Sequence, residues 1–107
     1  MCRSNLFRIY IKVAIMKIKL ETTVEGLIII HPSVLQSMRR PNSAEGAKAL
    51  GAPVIVDAEN ICFLAFNNEG YVTFFLNNGF EISLKITHDE AKNAYNFAKM
   101  KIKNVIE

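Results

Sequence analysis

ICFLAFNNEGYVTFFLNNGFEISLKI, residues Ile61 to Ile86, decides the fold. Three apolar runs, Ile61 to Phe66, Tyr71 to Leu76 and Phe80 to Ile86, are cut apart by NNEG and NNG. Asn and Gly tolerate the positive φ that tight hairpins require, so the stretch predicts an antiparallel meander. The last run sets Phe80, Ile82, Leu84 and Ile86 against Glu81, Ser83 and Lys85, which gives one buried and one wet face. In the middle run Phe75 shares the outer face with Tyr71 and Thr73, which predicts that this face is covered by something. Cys62, inside the first apolar run, reads as an inert buried thiol. Val54 to Val56 reads as one more strand, set off by Asp57 to Asn60.

Downstream of the meander, Thr87 with Glu90 three residues later forms a capping box, and Asp89 and Glu90 sit at the favourable end of a helix dipole. At ~100° per residue, Ala91, Ala94, Tyr95, Ala98, Ile102, Val105 and Ile106 share one arc. The spacing predicts a long C-terminal helix lying across the sheet. Lys92, Lys99 and Lys103 form a neighbouring stripe, and Phe97 and Met100 fall outside the apolar arc.

Upstream, Met16 to Glu21 and Val24 to Ile30 read as a strand pair. The alternation Phe7, Ile9, Ile11, Val13, Ile15 has the opposite phase to Met16, Ile18, Leu20, and a continuous strand does not change face. Residues 1–15 are therefore read as an N-terminal extension or extra strand, and 16–107 as a single α+β domain. Arg8 and Lys12 break the N-terminal apolar stretch and no small-residue cleavage site follows, which argues against a signal peptide or membrane span. Pro32 suits the first position of a short helix running to Arg39, and Pro41 stops it. Asn42 or Ser43 would then cap a second short helix, Ala44 to Leu50, ended by Gly51. The fold expected is thus α+β: an antiparallel sheet with a C-terminal meander, packed by a long C-terminal helix, with short helices inserted near residues 32–50.

A chain of 107 residues suffices for one core, and 50% hydrophobic residues against 21% charged exclude a disordered tail. The net charge of +3 is too mild to define a polyanion surface unless it clusters. Two cysteines without metal-like spacing exclude a disulfide framework and point to a reducing, cytoplasmic setting.

Few residues carry a chemical signal. Arg39 and Arg40 offer fork-shaped donors to phosphate or carboxylate, and a helix starting at Asn42 or Ser43 would add free backbone N–H groups beside them. The competing reading is that both arginines neutralise the carbonyls ending the preceding helix. No phosphate-binding loop of the Gly-Lys-Ser/Thr type is present. Lys92, Lys99 and Lys103 would meet nucleic-acid phosphates if the stripe is not merely solvated. Tyr71, Phe75, Phe97 and Met100 are apolar groups outside the main core and mark candidate interface positions. His31 with Asp57 or Cys62 would suit nucleophilic chemistry, but nothing in the sequence brings them together. His88, Asp89 and Glu90 diverge around a helix start and make no metal site by themselves, and no cofactor is implied.

Three function classes follow. The favoured one is a small non-enzymatic binding, inhibitory or regulatory protein that works as a homo-oligomer, with an anionic phosphate-bearing ligand or a partner protein as its counterpart. The alternative is a nucleic-acid-binding regulator using the C-terminal lysine face. An enzyme relying on His31 is the third, and the residues favour binding over catalysis.

Overall fold

The computed structural model describes residues 18–42, 46–47 and 51–107. The proposed extension 1–15, Ser43 and most of the segment Ala44 to Leu50 lie outside the described residues.

Two antiparallel sheets and one α-helix make up the described fold. In the first sheet, β1 (Leu20–Thr22) pairs with β2 (Leu27–Ile30), as the strand-pair reading expects. Next to them lie β5 (Val54–Asp57) on one side and β9 (Asn104–Ile106) on the other, in the order β5-β2-β1-β9. The second sheet has β3 (Leu35–Arg39), β4 (Gly46–Ala47), β6 (Ile61–Phe66), β7 (Val72–Leu76) and β8 (Glu81–Leu84), in the order β4-β3-β8-β7-β6. Its β6-β7-β8 portion is the expected meander, and its turns use Gly70 at φ 86° and Gly79 at φ 91°. A 3-10 turn, Ala58–Asn60, carries the chain from an edge of the first sheet to an edge of the second. Its entry is fixed by Asp57, whose carboxylate accepts from the Glu59 amide at 2.9 Å.

The helix α1 (His88–Lys99) begins as its capping box dictates. Thr87 Oγ1 accepts from the Glu90 amide at 3.2 Å, and Glu90 Oε1 accepts from the Thr87 amide at 2.9 Å. Ala91, Ala94 and Ala98 are buried, and α1 packs on β1, β2, β9 and the 3-10 turn. Small side chains on that face let the helix backbone approach the sheet closely. One apolar cluster joins both sheets and the helix, with Leu20, Ile28, Ile30, Val72, Phe74, Ile82 and Leu84 almost wholly excluded from solvent. Burying a side chain of this size contributes about 1.5–3 kcal/mol. The β1–β2 turn closes on the other end of the helix. Gly26 there has φ 89°, and a Cβ on it would lie 3.3 Å from the Ala98 carbonyl oxygen.

Three sequence expectations are corrected. The short helix from Pro32 to Arg39 does not form: Pro32 to Val34 is a turn, and Leu35–Arg39 is β3. A helix of that length is marginal without tertiary support, whereas β3 gains a ladder with β8 through Leu35–Leu84, Ser37–Ser83, Met38–Ile82 and Arg39–Glu81. Within the second expected helix, Gly46 and Ala47 pair as β4 with Arg39 and Met38. The C-terminal helix is short, at 12 residues, and not long. Lys101 takes φ 58° and the chain turns back as β9, so Val105 and Ile106 are strand residues and Ile102 is 41% exposed. The turn is held from inside: buried Thr22 donates its hydroxyl to the Ile102 carbonyl at 2.7 Å. Among the described residues, no helix is long and apolar enough to cross a membrane.

Candidate interaction surface

The strand β6 reads I-C-F-L-A-F and carries no charged residue and no proline. It lies at the edge of the second sheet, paired with β7 on one side and, among the described residues, with nothing on the other. Edge strands of proteins that remain monomeric are commonly blunted by charge, proline or cover, because a free row of N–H and C=O groups is a template for another chain. The one irregularity of β6 is a bulge between Ile61 and Phe63. It turns Ile61 into the core and Phe63 outward, although the two are only two residues apart. Cys62, read from the sequence as a buried thiol, is exposed beside this bulge.

Outward-facing Phe63 is 55% exposed and stacks on Phe75 of β7, with ring centroids 4.4 Å apart and planes inclined by 12°. Phe75 pairs with Phe63 on one side and Glu81 on the other, in opposite phase to the fully buried Phe74, so the aromatic pair belongs to the outer face of the sheet. Behind the pair, Thr73 and Ser83 hydroxyls bond at 3.0 Å across β7 and β8. The surface is therefore an apolar, aromatic strip along an edge that is unpaired among the described residues, beside a Thr73–Ser83 hydrogen bond.

The other candidate residues are distributed elsewhere. Tyr71 precedes β7, half-buried, and lines a cleft at the N-terminal end of α1 instead of joining Phe75. Phe97, half-buried, and Met100, 60% exposed, belong to the last turn and cap of the helix carried by the first sheet. Arg39 ends β3 and brings its guanidinium to 4.0 Å from Glu81 Oε1, a cross-strand pairing and not a helix-end contact. Arg40 is exposed just beyond it, and Asn42 is an exposed turn residue at φ 62°. Asn42 is thus no helix cap, and the expected cradle of helix N–H groups beside the arginines has no helical frame at that residue. Ser43 lies outside the described residues.

Lys92 and Lys99 lie on α1, but Lys103 follows it in the loop to β9, so the stripe breaks at the helix end. The Lys99 ammonium lies 3.5 Å from a Glu59 carboxylate oxygen and 5.8 Å from the Tyr95 ring centroid. Among the described residues His31 makes no hydrogen bond or ion pair with Asp57 or Cys62. Its Nε2 is 2.7 Å from Glu21 Oε2, across the β1–β2 pair. No three His, Cys, Asp or Glu side chains among the described residues are grouped as a metal site.

One carboxylate has a displaced pKa. Burial acts to raise the pKa of Glu90, but the Lys19 ammonium bonded at 2.6 Å, together with the Thr87 amide and hydroxyl, outweighs it and holds the carboxyl below its usual range. This network anchors the start of β1 to the start of α1.

Comparison with protein-family models, curated proteins and solved structures finds no match to this chain. Phe63 is the site residue that sequence reading missed. Because β6 is apolar on both faces, its alternation carries no phase, and the only signal was the absence of charge.

Proposed function

We propose that this is a small non-enzymatic binding protein of the cytoplasm that works as a homo-oligomer, with two copies joined through antiparallel pairing of β6. The observation that carries the reading is the uncharged β6, whose outer edge is unpaired among the described residues, with Phe63 stacked outward on Phe75. A second copy is the occupant because it meets every requirement of that edge. It offers an equally uncharged strand, and the surrounding sheet is antiparallel throughout, so a two-fold antiparallel partner continues the ladder. Pairing would satisfy the outward N–H and C=O groups of both strands and cover Phe63 of each. The resulting continuous sheet leaves exposed Arg40, just past β3, away from the pairing edge and available to a partner.

Sedimentation velocity over a range of protein concentrations tests this. The wild type sediments as a dimer that dissociates on dilution, and Phe63→Lys, which places a charge on the edge without touching the core, sediments as a monomer with an unchanged circular dichroism spectrum. A wild type that is monomeric at all concentrations, or a Phe63→Lys variant that remains dimeric, would defeat the proposal.

A further inference from the structure

A cleft of about 470 Å³ opens between the end of β6, the turn into β7, the exit of β8 and the start of α1, and Phe63 is not among its lining residues. Its volume falls within the range of small-molecule sites, roughly 300–1,000 Å³, and Val72 and Ile86, both buried, give it an apolar floor. Two features of its walls are specific. Phe66 is 45% exposed for a residue in the inward phase of its strand, and its ring lies 3.8 Å from that of His88, tilted by 40°. Tyr71 supplies a further ring at the cleft, so a flat group has aromatic surface to lie on. The charge of the lining is also unbalanced. Lys19 and Lys85 both line the cleft, but Glu90 is bonded to Lys19, and among the described residues Lys85 is in no ion pair.

We infer that this cleft binds a small planar aromatic anion, with its ring against Phe66, His88 and Tyr71 and its negative group on Lys85. The chemistry is that of a ring linked to one phosphate or carboxylate. The Lys19–Glu90 pair is internally neutral and serves as a fixed polar wall, so one cation remains for one anionic group. An uncharged ring would leave Lys85 solvated and unpaired, and a bare anion would leave the aromatic surface wet. The ligand that uses both has both. This site is separate from Arg39 and Arg40, and it does not depend on pairing through β6, because none of Arg39, Arg40 and Phe63 lines it.

The test is a titration of the isotopically labelled full chain followed by ¹H–¹⁵N correlation spectra, with adenosine monophosphate, benzoate, adenosine and inorganic phosphate as separate probes. Adenosine monophosphate, benzoate or both shift the amides of residues 66–72 and 85–90, and adenosine and phosphate bind more weakly. Which of the two anions binds tells a phosphate source from a carboxylate source. Lys85→Gln weakens binding of the active probe roughly fivefold, as loss of one exposed ion pair would. Shifts that are absent or confined to other residues, phosphate alone binding as well as the ring-bearing probes, or Lys85→Gln binding like the wild type would each overturn the inference. A monomeric but ligand-binding protein would refute the oligomer and leave this site standing.

Discussion

Replacing Thr22 with Val tests how the chain ends. Thr22 is 2% exposed, and its hydroxyl donates to the Ile102 carbonyl at 2.7 Å, tying the centre of the first sheet to the turn that takes the chain out of α1. Valine keeps the shape and removes only the donor. A neutral hydrogen bond of this kind contributes about 1 kcal/mol net. A loss of about 1 kcal/mol lowers the melting temperature of a domain of this size by roughly 4–8 °C. Thermal unfolding by circular dichroism measures the loss, and native-state hydrogen exchange localises it. The amides of β9 should exchange faster in the variant by a larger factor than those of β7. If Thr22→Val is as stable as the wild type and β9 exchange is unchanged, the helix exit is not held as described and the return of the chain as a strand loses its physical basis.

Other consequences concern the start of the same helix. Thr87→Ala removes the acceptor for the Glu90 amide and should cost about 1 kcal/mol in chemical denaturation, as loss of an N-cap does. An unchanged midpoint would mean the box contributes nothing. Because folding depresses the Glu90 pKa, the folded state favours the ionised carboxylate. Its contribution is therefore fully present above the unfolded pKa and is lost as pH falls through the lower folded value. Glu90→Gln should abolish that component, so the stability curves of variant and wild type converge in acid and separate toward neutrality. Parallel curves across the acid range would show that Glu90 is not the group responsible.

What was legible in the chain was local. The Asn-Gly turns and the Thr87–Glu90 box are decided by backbone preferences of a few neighbouring residues, and both stand where the sequence puts them. What was not legible was decided by distant partners. Pro32 and the residues after it satisfy every local rule for a helix start, yet the ladder to β8, some 45 residues on, makes Leu35–Arg39 a strand. Likewise, Val105 and Ile106 fit the helical period. The stop before them uses Lys101 in a left-handed conformation, where glycine is the usual mark, so the turn carries no signature. The candidate surface divides in the same way. Phe75 is marked by an alternating strand, whereas Phe63 faces outward only because of a bulge whose register depends on β7. The cleft gathers Lys19, Phe66, Tyr71, Lys85 and His88 from three separate segments, and no spacing in the sequence announces it.

The pairing of two β6 strands is tested most directly by hydrogen exchange of the β6 amides as a function of protein concentration. Amides of Cys62 to Phe66 that do not bond to β7 should be exposed at high dilution and become protected as the concentration rises, in step with dimer formation. If those amides exchange at the unprotected rate at every concentration, β6 pairs with no copy of itself and the account is wrong.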